Sequence, residues 1–406
     1  MTGALDGIRI LDVSQGAAGP VCAMLLGDLG ADVIKVEPPG GEWGRGLGPP
    51  FVDGVAAAFL GINRNKRSVV LDLKQPAGTE VVTRLADRSD VVLESFRPGV
   101  ADRLGIGYEA LAARNPLLVY AAVSAFGQEG PWRSRPGVDG VVQAMSGLMS
   151  VTGSEEGPPA KVGVPAADMV GGFCAAQAIL AALYARERTG RGQRADVSLL
   201  DGLLAFQVVP LSMYLASGEM PARLGSAAPY AAPNEAFPTR DGAVMVAAYT
   251  PERWARLCEV LDRPELATDL RFDTNEKRVR GRTQLREVLD PLFGTRTTAE
   301  WVSLLDEADI LNGPLLSYPE LLDEEQLAAG GSLLSMEYPT AGRVRTVGSP
   351  VRLSETPVAP RRPAPHAAGE HTREVLQEAG FESAEIEELV AAQVVHDPQA
   401  AKAALT

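Results

Sequence analysis

The chain has 406 residues, 46% of them hydrophobic and 22% charged, with a formal net charge of -14. That length accommodates two domains of ordinary size, and that composition is globular. The acidic balance argues against nucleic acid or a membrane as partner, since an anionic polymer or surface draws on a basic excess. No continuous apolar run reaches the ~20 residues a bilayer demands. The start, MTGALDGIRILD, lacks the basic-then-apolar order of a secretory leader, so a cytoplasmic setting is expected. Cys22, Cys174 and Cys258 match no metal spacing and read as small buried hydrophobes, so no metal is expected. The three histidines are His366, His371 and His396, all near the end of the chain. A Ser-His-Asp hydrolase or a His-ligated metal in residues 1–365 is thereby disfavoured, and chemistry there falls to carboxylates, amines, hydroxyls and backbone.

In chain order, GIRILDVS reads as a buried strand, QGAAGPVCAMLLGDLG as a helix closed by Gly30, and ADVIKVEPP as a second strand ended by Pro38 and Pro39. Strand, short helix, strand is a βαβ unit with a right-handed crossover. Its small-residue loop, SQGAAGP, lies at a strand's C-terminal end, where open α/β sheets bind ligands, but it is not the G-x-G-x-x-G of a dinucleotide site. A Gly/Pro loop follows, then a locally basic stretch with Arg64, Lys66, Arg67 and Lys74. VVLDL, DVVLESF and LLVYAAVSAF continue as strands alternating with helices. Cations at the strand ends, Arg97 and Arg103 among them, suit a polyanionic ligand, against a reading as solvated surface charges. DGVVQAMSGLMSVTG has helical spacing with Asp139 as its expected N-cap.

The stretch from Pro159 to Asp201 holds one acid, Asp168, among Val162, Val164, Pro165, Ala166, Ala167, Met169, Val170, Gly171 and Gly172. Helical spacing follows, with Phe173, Ala176, Ile179, Leu180, Leu183 and Tyr184 on one face and Gly190 as C-cap. Asp168 is expected just before that helix, either as its N-cap or as a carboxylate nucleophile toward an activated acyl group. The two glycines beside it suit close approach of a substrate to the backbone. RADVSLL then reads as a strand and Asp201–Ala216 as one long helix. GEMPARLGSAAPYAAPNEAFP reads as a linker, and the amphipathic helices PERWARLCEVLD, GRTQLREVLDPLFG and TAEWVSLLDEAD as a smaller α+β domain. The tail holds two more helices.

LDGIRILDVSQGAAGP, LGDLGADVIKVEPP, NRNKRSVVLDLK, the SFRPG loop, GVPAADMVGG, ERTGRGQ, RFDTNEKRV and GEHTREVLQEAGF resemble, in this order and spacing, the class III CoA-transferases, the family that also contains alpha-methylacyl-CoA racemase. The resemblance spans nearly the whole chain. It implies an α/β, Rossmann-like large domain built from both chain ends (1–216 and 321–406), a linker at 217–236, an inserted small α+β domain at 237–320, and an interlocked homodimer. It places the nucleophile on Asp168 and the coenzyme A contacts on Ala17, Ala18, Leu71, Asp72, Leu73, Lys74, Ser95, Phe96, Arg97 and Arg103. Pro38 stands where many members carry an arginine near the adenine, with Arg45 as a substitute. No cofactor is implied beyond coenzyme A, which enters as the substrate acyl-CoA, with a carboxylic acid as acceptor. The activity implied is acyl-CoA:carboxylate CoA transfer through an aspartyl anhydride and an aspartyl-CoA thioester. Racemases of the family carry Gly-His-Asp where this chain has Gly137, Val138 and Asp139, and valine moves no proton. A 2-methylacyl-CoA racemase using another base and a non-catalytic CoA-binding scaffold are the alternatives.

Overall fold

The computed structural model describes residues 3–339 and 341–398. The chain forms two units, one from residues 1–146, 163–206 and 329–406, the other from 147–162 and 207–328. The larger unit carries, in order, β1 (Arg9–Asp12), α1 (Ala18–Asp28), β2 (Asp32–Glu37), β3 (Lys66–Leu71), α2 (Pro76–Ala86), β4 (Val91–Glu94), β5 (Val119–Ser124), α3 (Asp139–Met145), α4 (Ala166–Thr189), β6 (Arg194–Ser198) and α5 (Leu199–Phe206). After the second unit come β7 (Leu333–Tyr338), β8 (Gly342–Val347), α6 (Thr372–Glu378), α7 (Ser383–Ala391) and β9 (Val395–His396).

Seven strands make one sheet in the order β9-β3-β2-β1-β4-β5-β6. All neighbours are parallel except β9, which returns antiparallel along β3 with Val395 opposite Leu71. The order runs outward from β1 through β2 and β3 on one side and through β4 to β6 on the other. The sheet therefore has a topological switch point between β1 and β4, the place where open α/β sheets leave a crevice. Alternation along the strands sorts their side chains. Leu11, Val13, Ile34, Val36, Val69 and Leu71 face a core closed by α2 and the tail helices, with Val81, Leu85, Val375, Leu376 and Ile386.

The other face of β1 to β3 is charged. Lys66 Nζ donates to Asp12 Oδ2 at 3.0 Å, to Asn63 Oδ1 and to the Pro20 carbonyl of α1. Lys35 Nζ donates to Glu42 Oε2 at 3.1 Å and to the Ser14 carbonyl. Arg45 holds Glu37 in a two-pronged pair at 2.6 and 2.7 Å. Asp12, Lys35, Glu37, Glu42 and Lys66 are all buried. Burial works against the Asp12 carboxylate, but Lys66 and Lys35 more than offset it and hold the carboxyl below its ordinary range. Burial dominates for Lys66, whose ammonium falls to about 8 against the pull of Asp12.

This overturns the reading of Arg64, Lys66 and Arg67 as part of a ligand surface, while Lys74 stays exposed. Lys66 is internal, Arg64 grips Asp28 at 2.8 and 2.5 Å, and Arg67 reaches Asp32, Glu374 and Glu378. β3 begins at Lys66 rather than at the apolar run, because these cations have carboxylate partners waiting on neighbouring elements. Arg45, considered near an adenine, is likewise committed to Glu37 and to the His366 carbonyl.

α4 is 24 residues long and apolar enough to cross a bilayer, contrary to what the continuous-run criterion indicated. Half of its apolar window is buried inside the protein, where it packs on α1, β5, β6 and α5, so it serves as a core helix.

The second unit is a three-stranded antiparallel sheet of Asn234–Pro238, Ala243–Ala247 and Leu311–Pro314 with helices Pro251–Val260, Arg282–Phe293 and Thr298–Glu307. Its core stacks Phe237 on Phe293 at 4.5 Å. Thr297 and Glu300 close a capping box. The unit takes in the helix Val208–Ser217 and residues 147–162, so its bounds are wider than the 237–320 read from sequence. The long helix expected to Ala216 is broken at Gln207.

Removing one member of the buried row isolates a charge. Lys66→Met is expected to lower unfolding stability by about 3–5 kcal/mol, the cost of breaking a buried ion pair, read as a drop in the urea midpoint at unchanged slope.

Candidate active site

α4 starts at Ala166, with Pro165 before it and no side-chain cap of its own. Asp168 is therefore the third residue of the first turn, not the N-cap. Its surroundings explain the shift. Ala166 and Ala167 are good helix formers, and an acid in the first turn complements the helix dipole. The capping is done from outside: Asp139 Oδ1 accepts the Ala167 N–H at 2.9 Å, and Asp139 Oδ2 accepts from Gln143 Nε2 at 2.8 Å. Gln143 Nε2 also donates to the Val164 carbonyl at 3.3 Å. Asp139 is thus a cap for α4 rather than for its own helix, whose N-cap position is Val138.

Gly171 and Gly172 also take a different part. They lie inside α4, not in a substrate-facing loop. A Cβ on Gly171 would stand 2.2 Å from Leu199 Cδ2, and one on Gly172 would stand 2.8 Å from Val21 Cγ1. Their lack of side chains lets α4 seat against α5 and α1, which fixes where Asp168 stands.

Asp168 lies on a ridge between two cavities. The first, about 740 Å³, opens at the switch point. It is lined by Gln15 to Ala18 after β1, by Ser95 to Pro98 after β4, and by Val123 to Ala125 at the end of β5. Ser95 Oγ accepts the Gln15 N–H at 3.0 Å and ties the first two loops together. Arg97, Arg133 and Arg135 also line it, and their side chains form no ion pair among the described residues. Phe126 meets Trp132 edge-on at 5.8 Å and anchors the loop that carries the last two. The second cavity, about 590 Å³, is walled mainly by hydrocarbon from α1, from residues 58–62 and from α4. Gly16, Ala17, Trp43 and Asp168 border both. Gly16 has φ of +85°, and a Cβ there would meet the Trp43 ring at 2.7 Å, so the ridge requires glycine.

Of the residues singled out from sequence, Ala17, Ala18, Ser95, Phe96, Arg97 and Asp168 share the first cleft. Leu71, Asp72, Leu73, Lys74 and Arg103 do not line it. Asp72 organises the turn into α2, accepting from the Lys74 N–H and Gln75 Nε2, and Lys74 and Arg103 are exposed. Sequence reasoning missed Arg133 and Arg135. The signal was the pair of cations in PWRSRPG, read only as the start of a loop.

The profile of CoA-transferase family III matches residues 5–372. The chain belongs to CoA-transferase family III. Among its relatives, succinyl-CoA:glutarate CoA-transferase of Mus musculus is 38% identical over 393 residues, covering 96% of this chain and 90% of the mouse protein. Acetyl-CoA:oxalate CoA-transferase of Acetobacter aceti is 40% identical over 367 residues, 88% of this chain and 93% of the other. A CAIB/BAIF family protein from Brucella suis, solved by crystallography, superposes with a TM-score of 0.84 at 35% identity, covering 93% of this chain and all of that one. This family III protein is thus a CoA-transferase with a mixed α/β fold and a largely parallel sheet.

Glu94 ends β4 beside the cleft, and its Oε2 accepts the Phe96 N–H at 2.6 Å. Burial raises its carboxyl to about 7 in spite of that bond. The folded state therefore holds a proton there that the unfolded chain releases near 4.5, and stability falls as pH rises from about 4.5 through 7. At 1.36 kcal/mol per pH unit the loss is about 3 kcal/mol above pH 7. Glu94→Gln keeps an acceptor for Phe96 and removes the ionisation. The variant is expected to be the more stable protein at pH 8 and to match wild type at pH 4.5, by urea unfolding at both values.

Proposed function

We propose that the protein transfers coenzyme A from an acyl-CoA donor to a carboxylic acid acceptor, with Asp168 as the covalent nucleophile. The observation that carries this reading is the position of the Asp168 carboxylate, in a helix's first turn and on the ridge between a cation-bearing cleft and an apolar cavity. Coenzyme A lies in the cleft, with its chain along Ala17, Ala18, Ser95 and Phe96, and with Arg97, Arg133 and Arg135 near its phosphates, where guanidinium groups pair bidentately with phosphate oxygens. Leu71 to Lys74 and Arg103, at the C-terminal ends of the same sheet, are further contacts for the nucleotide end.

The steps balance without an outside base. The Asp168 carboxylate attacks the donor thioester carbonyl, forming a mixed anhydride and releasing CoA thiolate. The thiolate attacks the aspartyl carbonyl, giving an aspartyl-CoA thioester and the donor carboxylate. The acceptor carboxylate attacks that thioester, regenerating an anhydride and thiolate. The thiolate then attacks the acceptor's acyl carbon, yielding the new acyl-CoA and free Asp168. Each oxyanion forms at the first turns of α1 and α4, whose dipoles favour negative charge. The anhydride is open to hydrolysis, and the hydrocarbon wall on one side of Asp168 keeps water from it. Racemisation is the weaker reading. Val138 lines the cleft where the family's racemases place histidine, and none of the three histidines lines either cavity.

Asp168→Asn separates the roles. The change keeps the side chain's size and removes its charge. It is expected to abolish transfer while CoA binding, by calorimetry, persists. Wild-type protein given donor alone should yield a hydroxamate at Asp168 on adding hydroxylamine, visible as a peptide mass shift. Full transfer by the Asn variant removes Asp168 from the mechanism.

We also propose the interlocked homodimer implied by the family resemblance. In its support, Phe173, Leu180 and Tyr184 form an exposed apolar stripe along α4 at helical spacing. Light scattering at micromolar concentration is expected to show a dimer with no folded monomer; a folded monomer refutes it.

A further inference from the structure

The acyl end of the substrate follows from the second cavity. We infer that this transferase is built for acyl groups with an uncharged hydrocarbon body and discriminates against dicarboxylic acyl groups. The inference rests on the nucleophile reading of Asp168. If the thioester carbon sits at Asp168 and coenzyme A occupies the cation-bearing cleft, the acyl chain leaves the carbonyl on the other side of the ridge. There it meets Met24, Leu25, Phe59, Ile62, Met169 and Phe173. The cavity's volume, about 590 Å³, lies within the ordinary range of small-molecule sites.

A second carboxylate requires a cation or several N–H donors when buried. Among the described residues, the one cation on this wall is Arg64. Its guanidinium is already bidentate to Asp28, with Nη1 on the Val347 carbonyl and its side chain 2% exposed. It has no charge left to offer. Arg97, Arg133 and Arg135, which form no ion pair among the described residues, lie on the coenzyme side. The named relatives act on succinyl, glutarate or oxalate groups, so the chemistry of this wall points away from their substrates.

Wild-type enzyme is assayed with butyryl-, hexanoyl- and octanoyl-CoA and with succinyl- and glutaryl-CoA as donors to one acceptor, acetate. Each donor is also tested without acceptor for the hydroxylamine-trapped adduct. Each buried methylene is expected to raise kcat/KM about fourfold, the equivalent of ~0.8 kcal/mol. Glutaryl-CoA is expected to fall roughly 100-fold below hexanoyl-CoA, as burial of an unpaired carboxylate dictates. Ala58→Phe, at an exposed helix position on the cavity wall, is expected to lower the hexanoyl-to-butyryl preference about tenfold. Faster turnover of succinyl- or glutaryl-CoA than of hexanoyl-CoA, with the Asp168 adduct present, overturns this inference alone and leaves the nucleophile standing. An equal effect of Ala58→Phe on all donors also overturns it. Absence of adduct with every donor overturns the nucleophile, and the inference falls with it.

Discussion

A row of buried charges across β1, β2 and β3 governs the larger unit. Asp12, Lys35, Glu37 and Lys66 all point to the α1 face because side chains alternate along a strand. The pairing register sets Asp12 opposite Lys35 and Lys35 opposite Ser68. Three acids and three bases, with Glu42 and Arg45 added, balance there. Desolvating ions costs about as much as their pairing returns, so such a row adds little net stability. Its consequence is geometric. Lys66 holds the Pro20 carbonyl in the first turn of α1, Lys35 holds the Ser14 carbonyl, and Glu37 holds the Glu42 N–H and Arg45. The loops carrying Gly16 and Trp43 are fixed at both ends by these buried charges, and those loops form the ridge on which Asp168 lies.

The second constraint comes from the opposite direction. α4 carries its carboxylate at the third position of a helix that has no cap residue of its own. Asp139 and Gln143 of α3 supply the cap from across the chain. Gly171 and Gly172 press the same helix onto α1 and α5. A cap supplied in trans orients the helix end as well as satisfying an N–H group, since the cap belongs to another rigid element. The ridge is thus defined from below by the charge row and from above by α4, so both the site's walls and Asp168 rest on secondary structure rather than on a free loop.

Much of this was legible in the sequence, for physical reasons that differ by element. Strands β1, β2, β4 and β5 are apolar runs bounded by Gly, Pro and Asp, and period and punctuation agree in them. The proposed place of Asp168 in the chemistry came through resemblance, since an acid near a helix start is compatible with a cap. Three readings failed together, each from reading a residue by its own character instead of by its partner's. Arg64, Lys66 and Arg67 looked like a ligand surface because Asp12, Asp28 and Asp32, which neutralise them, lie some 35 to 54 positions earlier in the chain. Gly171 and Gly172 looked like room for a substrate because their packing partners, Leu199 and Val21, are distant in sequence. Asp139 looked like the cap of its own helix, yet the N–H group it satisfies is 28 residues away. Local propensity carries no record of such pairings.

The two-sided site gives the reaction a direction in space. A thioester joins a polar, multiply charged carrier to an acyl group, and the two halves have opposite solvation demands. A single mixed pocket would have to satisfy both. Here the arginines and loop amides stand on one side of Asp168 and hydrocarbon on the other, so in the proposed reaction the two halves of the substrate would be sorted before any bond is broken. The thioester carbon would then be drawn to the ridge by the partition of its own ends, which is how remote binding energy is converted into orientation at the reacting centre. The same partition suits both half-reactions of the proposed transfer. In that proposal donor and acceptor acids would exchange through the apolar side while the coenzyme stays in the cleft, and the thiolate would be spared the water that otherwise competes for the anhydride.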